Sequence, residues 1–242
     1  MKVFDEVITS RNNPLVKWAA SLADKKGRDA EKSFIVEGKK LVFEALNKKL
    51  PVTHIFVAES KKDLYFPEIM KQIKEKIHDG TKIFVLSDGA FEKISTEKAP
   101  QGIISVIKYL DFFQELDIIY KEDFFRDPSE RMIVLSSVRD PANLGSVIRS
   151  AVAFGAKHIV ASSDSADIYN PKTLRAAMGS PYKVKITYIK NLFDFIIGNE
   201  GHGIAPELSA LASGSVYIPI SVETESLNAA VAAGIFMWEQ SK

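Results

Sequence analysis

The chain has 242 residues, with 32 Lys and Arg against 31 Asp and Glu, 4 His and no Cys, and that length holds one large domain or two small ones with an ample core. An apolar share of 46% and a charged share of 26% are ordinary for a soluble globular protein, and without cysteine there are neither disulfides nor thiolate metal sites. The scattered His make no metal spacing, no apolar run approaches the roughly 20 residues of a membrane span, and MKVFDEVITS lacks a signal-peptide core, so the expectation is a cytoplasmic protein with neither metal nor membrane partner.

Near the N-terminus, Ile8 to Pro14 forms a capping cluster ahead of the stripe Leu15, Val16, Trp18, Ala19 and Leu22, which predicts a helix with Pro in its first turn. Lys25-Lys26-Gly27-Arg28 reads as a basic loop. Phe34-Ile35-Val36 predicts a short strand, and Glu37-Gly38-Lys39-Lys40 opens a helix with Leu41, Val42, Ala45 and Leu46 on one face. Ile55-Phe56-Val57 and Ile83 to Leu86 are further strands around a Lys-rich helix at 67–78, and a short helix within 87–107 precedes the turn Ala99 to Gly102 and the strand Ile103 to Ile107. Such alternation indicates an α/β architecture. Residues 11–49 carry ten Lys/Arg against five Asp/Glu, a basic segment suited to a polyanion.

Residues 109–130 reverse that balance, two basic against seven acidic, and read as an acidic linker between a first domain, 1–108, and a second, 131–242. The second domain repeats one pattern three times: an apolar strand, a loop of Gly, Asn, Pro or Ser, and a helix. In the first, Met132 to Leu135 leads through Arg139-Asp140-Pro141 into a helix striped by Leu144, Val147, Ile148, Ala151 and Val152, with Asn143 as its cap. Arg149 falls roughly 130° from the centre of that stripe and therefore points away from the core. The second runs from Phe193 to Ile197 into Gly198-Asn199-Glu200-Gly201-His202-Gly203, and the third from Val216 to Ile220 through Ser226 and Asn228 into the helix Ala229 to Trp238. In a parallel sheet such loops gather at the carboxyl ends of the strands, where open α/β folds bind ligands, so the three segments predict one site.

The glycines at 198, 201 and 203 lack the dinucleotide spacing, and no phosphate-loop Gly-Lys-Ser exists, which disfavours a dinucleotide enzyme. The helix 229–238 is apolar nearly all round and needs cover on every side, from its own domain or from a second subunit.

Taken together, Asp140 to Ala156 (D-P-x-N-x-G-x-x-x-R-x-A with G-A), Gly198 to Gly203 (G-N-E-G-x-G) and Ile218 to Ile235 (I-P, then S-L-N-x-x-V-A-x-G-I) resemble the three motifs of the SpoU or TrmH family of S-adenosylmethionine-dependent RNA ribose 2′-O-methyltransferases. Asn170-Pro171-Lys172, Arg175 and Met178-Gly179-Ser180 also look like that family. The N-terminal half, from Ile8 to Gly102, resembles the small substrate-binding domain of many members, related to RNA-binding ribosomal proteins. The resemblance implies a trefoil-knotted α/β domain, an exception to unthreaded topology, a homodimer, and S-adenosylmethionine as cofactor. It carries the cofactor contacts to Gly198, Ile218 and Leu227, with Ile197, Asn199, Gly201 and Ser226 nearby. It makes Arg149 the catalytic arginine, surrounded by Asn143, Glu200 and Asn228.

A ribose hydroxyl must lose its proton as it attacks the methyl, and Arg149 is expected to accept or orient that proton although arginine is ordinarily charged. RNA is expected to meet Arg11, Asn12, Lys17, Lys25, Lys26 and Arg28, and then Lys172 and Arg175. Ribosomal RNA is the leading substrate, transfer RNA an alternative, and an RNA-binding or ribosome-assembly factor of weak or no catalysis a further one. Two departures favour the last: Ala230 stands where many 2′-O-methylating members have Ser, and only 18 residues, Ser180 to Ile197, separate Gly179 from Gly198. That is shorter than the helix and strand expected there.

Overall fold

The computed structural model describes residues 2–76, 80–110, 113–116, 132–189, 217–221 and 226–241. The chain divides into two compact units, Met1–Tyr109 with Tyr169–Arg175, and Leu110–Ile168 with Ala176–Lys242. Both are α/β. Among the described residues no helix is long and apolar enough to cross a membrane, and no cluster of His, Asp or Glu is placed to hold a metal ion.

The first unit is built on a mixed five-stranded sheet. Its strands are β1 (Lys2–Ile8), β2 (Ser33–Glu37), β3 (Val52–Ala58), β4 (Lys82–Leu86) and β5 (Ile103–Lys108), in the order β1-β4-β3-β5-β2. β1, β4 and β3 pair in parallel, whereas β5 runs antiparallel to both β3 and β2. Every residue of β2 is buried, as expected for a strand covered on both faces. One face carries α1 (Pro14–Ser21) and α5 (Asp88–Ile94), whose Val16, Ala19, Ala90, Phe91 and Ile94 close over Ile35, Phe56, Ile104 and Val106. Burying each large aliphatic or aromatic side chain of that set contributes about 1.5–3 kcal/mol. Asn13 caps α1, its Oδ1 accepting the Leu15 N–H at 2.8 Å, with Pro14 at the first helical position. α3 (Lys39–Asn47) buries Leu41, Val42, Ala45 and Leu46 and packs beside α4 (Lys62–Lys76).

The expected basic loop at Lys25 is instead a helix, α2 (Lys25–Glu31). The reason lies in Arg28, which is only 2% exposed because its guanidinium turns inward and donates to the Leu22 and Ala23 carbonyls at the end of α1. Those carbonyls lack intrahelical donors, so the arginine serves as their cap.

Among the described residues the second unit holds a parallel sheet, β6 (Phe113–Leu116), β7 (Met132–Leu135), β8 (His158–Ser162) and β9 (Lys185–Ile189), in the order β6-β9-β8-β7. β6 lies within the stretch read as an acidic linker, and β9 within the short connector after Gly179. β7 crosses to β8 through α6 (Pro141–Ala153), which buries Leu144, Val147, Ile148 and Ala151, the i, i+3, i+4, i+7 stripe of the sequence. α7 (Pro171–Ala177) comes next in the chain and lies mostly in the segment Tyr169–Arg175 of the first unit, whereas α8 (Ala229–Glu239) packs on α6 in the second unit, where it buries Ala233 and Met237. Tyr217–Ile220, read as part of a strand, belong to no strand among the described residues. The strand expected at 193–197 and the threading of the knot involve residues 190–216, outside the described residues.

One histidine in each unit records the cost of burial. His54 packs between Trp18 and Phe84, and desolvation, reinforced by Lys82 and Lys108, pulls it from 6.5 to about 4. His158 lies 2.8 Å from the Thr187 hydroxyl, and desolvation with the Lys185 charge lowers it likewise to about 4. Both are neutral when folded, so between these values the unfolded chain binds more protons and stability falls as pH drops through that window. Urea unfolding followed from about pH 7 to about pH 4.5 should therefore show a declining midpoint, with a shallower decline in His158→Gln, which does not titrate there.

Candidate functional site

The carboxyl end of β7 leads through Ser136–Arg139 to α6, and here the helix begins differently from the sequence expectation. Asp140, not Asn143, is the cap: its Oδ1 accepts the N–H groups of Ala142 at 2.8 Å and Asn143 at 2.9 Å, with Pro141 at the first helical position. Asn143 thereby falls in the first turn, where its side chain is released from capping and projects from the helix.

It projects onto Asn228. The Asn228 Nδ2 donates to Asn143 Oδ1 at 2.8 Å, joining two positions 85 residues apart in sequence. Asn228 is the cap of α8, and its Oδ1 accepts the N–H groups of Ala230 at 2.9 Å and Val231 at 3.4 Å. Since those N–H groups demand an acceptor, the amide of Asn228 has one permitted orientation, which turns its NH2 toward Asn143. Farther along the same two helices, a Cβ at Gly234 would lie 3.9 Å from Ser150 Oγ. The helices thus run side by side with their amino ends together at the Asn pair.

Arg149 is exposed, as its place on the wheel required. Among the predicted cofactor contacts, Ile218 and Leu227 are half-buried and Ser226 is exposed. Ile197, Gly198, Asn199, Glu200 and Gly201 lie outside the described residues, so the second motif loop is not placed beside the Asn pair. Of the expected RNA contacts, Arg11, Asn12, Lys17, Lys25, Lys26 and Lys172 are exposed. Arg28 is a correction, because its charge is buried against carbonyls and cannot meet a phosphate. Arg175 is half-buried and paired within the first unit, its Nε 2.5 Å from Glu97 and its Nη1 donating to Thr96 Oγ1 at 2.8 Å. Thr96 in turn donates to the buried carboxylate of Glu37.

Sequence reasoning missed a polar cluster beside the site. Ser137, Arg139 and Ser162 all bond Asp164, which follows β8. The signal was present as the run Ser162-Ser163-Asp164-Ser165 directly after an apolar strand, at the carboxyl end where a parallel sheet assembles its sites.

A parallel sheet with motif asparagines meeting at two helix starts beyond it defines a ligand-binding α/β domain, and comparison with known proteins gives its class. Residues 130–197 and 193–238 match the model of the SpoU rRNA Methylase family, and residues 13–105 match the MRM3-like substrate binding domain. The chain thus carries a SpoU rRNA methylase domain over residues 130–238, with an MRM3-like substrate binding domain ahead of it. It is similar to the 23S rRNA (guanosine(2553)-2'-O)-methyltransferase RlmP of Bacillus subtilis, 28% identical over 96% of this chain and 97% of the relative. It is also similar to a 23S rRNA (uridine(2479)-2'-O)-methyltransferase of Streptomyces viridochromogenes, 25% identical over 96% of this chain and 90% of that protein. The crystal structure of an AdoMet-bound rRNA methyltransferase from Sinorhizobium meliloti superposes with a TM-score of 0.79 at 26% identity, covering 98% of this chain and 97% of the other.

The Asn pair makes a separable contribution. Asn228→Ser should keep most of the cap, because a serine oxygen also serves an N-cap, while losing the reach to Asn143. In a double-mutant cycle read by urea unfolding, Asn143→Ala should destabilise the wild-type chain more than the Asn228→Ser variant, a coupling of about 0.5–1.5 kcal/mol.

Proposed function

We propose that this protein transfers the methyl group of S-adenosylmethionine to a ribose 2′-hydroxyl of ribosomal RNA. The observation that carries the reading is the Asn143–Asn228 bond, which unites the first and third motif segments at one place in a chain that carries this methylase domain. The relatives named above are 23S rRNA 2′-O-methyltransferases, and the superposed crystal structure is of an AdoMet-bound rRNA methyltransferase.

The residues present suit the cofactor. Ile218 and Leu227 are aliphatic side chains left half-open to solvent, and Ser226 beside Leu227 is exposed, residue types that suit a flat heteroaromatic base with polar edges. With Ile197, Gly198, Asn199 and Gly201 they would hold S-adenosylmethionine, which when bound supplies an electrophilic methyl on a sulfonium. Asn143 and Asn228 hold each other and fix the geometry of the two helix starts, and Glu200 of the second motif is the further polar group this reading assigns to the reaction. Arg149 presents a guanidinium on the exposed side of α6. Its planar donors suit an RNA phosphate, and placed beside the ribose it orients the hydroxyl and stabilises negative charge on the oxygen as the proton passes to solvent water.

Exposed Arg11, Asn12, Lys17, Lys25, Lys26 and Lys172 all belong to the first unit, and they supply the electrostatic part of RNA binding. Such binding weakens as salt rises. The protein works in the cytoplasm, where ribosomal RNA is accessible to it. Tritium from labelled S-adenosylmethionine should appear in ribosomal RNA isolated from cells lacking the gene, at ribose 2′-oxygens. Arg149→Ala should lower turnover about a hundredfold or more. RNA binding without label transfer would instead identify a binding factor, the reading that Ala230 favours.

The protein acts as a homodimer through α8. Val231, Ile235 and Trp238 lie at i, i+4 and i+7 on one face, exposed by 51%, 40% and 52%, with Phe236 beside them at 42%. A helix so apolar on its open face is stable in water only when covered, and a second copy supplies a matching surface. Light scattering should give a dimer for the wild type, while Ile235→Glu, which sets a carboxylate in the middle of that face, should give a monomer that stays folded.

A further inference from the structure

The loops at the carboxyl ends of β7 and β8 are laced together around one carboxylate that the reaction outlined above does not use. Ser137 Oγ donates to Asp164 Oδ2 at 2.7 Å, Arg139 Nη2 donates to the same oxygen at 2.9 Å, and Ser162 Oγ donates to Oδ1 at 2.6 Å. Ser162 Oγ also accepts the Ser137 N–H at 2.7 Å, and Ser165 Oγ accepts the Val138 N–H at 3.2 Å. A backbone bond from the Ala166 N–H to the Val138 carbonyl, 2.8 Å, closes the ladder.

Two features separate this arrangement from an ordinary surface ion pair. Ser137 has a φ of +56°, a left-handed conformation that a residue with a Cβ rarely adopts and that persists only where its surroundings hold it. Here both its N–H and its hydroxyl are held by the Ser162–Asp164 pair. Burial alone would raise the Asp164 carboxyl, but hydrogen bonds from Ser162, Ser137 and Arg139, with the Arg139 charge, outweigh it and hold the group at about 2. The ion pair itself is the weaker part, because the Arg139 side chain is 70% exposed and that of Asp164 43%. The hydroxyl bonds to an ionised acceptor are the stronger.

What the clamp holds is the approach to α6. Leu135 ends β7, residues 136–139 form the loop, and Asp140 begins the helix whose first turn presents Asn143. A different path through Ser137 would start the helix elsewhere and move the Asn143 side chain off Asn228. We propose that Asp164 is a positioning residue for methyl transfer, which through Ser137 and Ser162 holds the 136–140 loop in the path that sets Asn143 against Asn228. The kinetic consequence rests on the methyltransferase reading, whereas the structural consequence does not.

The test uses the full chain carrying Asp164→Asn, Ser137→Ala or Ser137→Gly. Four quantities are measured: kcat and KM for ribosomal RNA from cells lacking the gene, the Kd for S-adenosylmethionine, the thermal midpoint, and the side-chain amide NMR signals of Asn143 and Asn228. Asp164→Asn should lower kcat about tenfold to a hundredfold, since misplacement of a site group by an ångström is enough. It should leave the cofactor Kd near wild type, lower the midpoint while the chain stays folded at the assay temperature, and shift both amide signals. Ser137→Ala should act in the same direction. Ser137→Gly should recover part of the loss, because glycine takes the positive φ without strain. This pair carries the test if Asp164→Asn does not fold. Wild-type kcat in the folded variants overturns the proposal, and so does a lowered kcat with both amide signals unmoved. If the wild-type chain moves no label into RNA, the methyltransferase reading fails, and unmoved amide signals would overturn the clamp independently.

Discussion

Parallel pairing of β7, β8 and β9 is the constraint on which the second unit depends. Parallel neighbours cannot be joined by a tight turn, so the chain must leave each strand at its carboxyl end and return by a crossover. α6 is that crossover between β7 and β8, and its buried stripe is committed to the core. Once Leu144, Val147, Ile148 and Ala151 are committed to the core, the remaining arc of α6 is fixed. Asn143 and Ser150 lie toward α8 and Arg149 lies toward solvent. The site's polarity is therefore a by-product of the same periodicity that builds the core.

Asn228 shows how a terminal requirement of secondary structure is joined to a tertiary one. Its oxygen satisfies N–H groups that α8 leaves without partners, and that frees its nitrogen for Asn143. An aspartate would cap as well but bring no donor, and a serine would cap without the reach. Asparagine is the side chain that offers an acceptor and a donor on opposite sides of one short plane. On the first-motif side the two tasks are divided: Asp140 caps, and Asn143 is left for contact.

How far these relations could be read from the sequence depends on their range. The stripes of α1, α3 and α6 and the apolar cores of β3, β5 and β7 are local periodicities, and they emerged with bounds close to those observed. Arg28 escaped because charge alone says surface, while its burial follows from the nearby end of α1, a contact no periodicity encodes. β6, a short strand in an acidic stretch, is defined by its pairing with β9 and not by its composition. The cap of α6 was displaced because Asp140-Pro141 and Asn143 are both acceptable starts, and the choice rests on proline's fixed φ at the first helical position. The meeting of the first and third motif segments was readable from the loop pattern and from resemblance, while the second motif loop lies outside the described residues. The Asp164 cluster was half legible: the run Ser162 to Ser165 after an apolar strand marks one side of it, while Ser137 and Arg139 join from a second loop that only the fold brings near.

Ala230 is the departure that most invites a reading of weakened chemistry, and the geometry narrows what it removes. Position 230 lies in the first turn of α8, and what it contributes to the site is its backbone N–H, the donor at 2.9 Å that fixes the Asn228 oxygen. Alanine keeps that donor and is the best helix former. A hydroxyl at this position would be a further polar group close to an oxygen that already accepts two N–H bonds, free to compete for the same partners. The substitution therefore takes away one hydroxyl while leaving the orientation of Asn228, and through it Asn143, under backbone control. In this chain the burden of alignment falls on amides and on the loop that presents them.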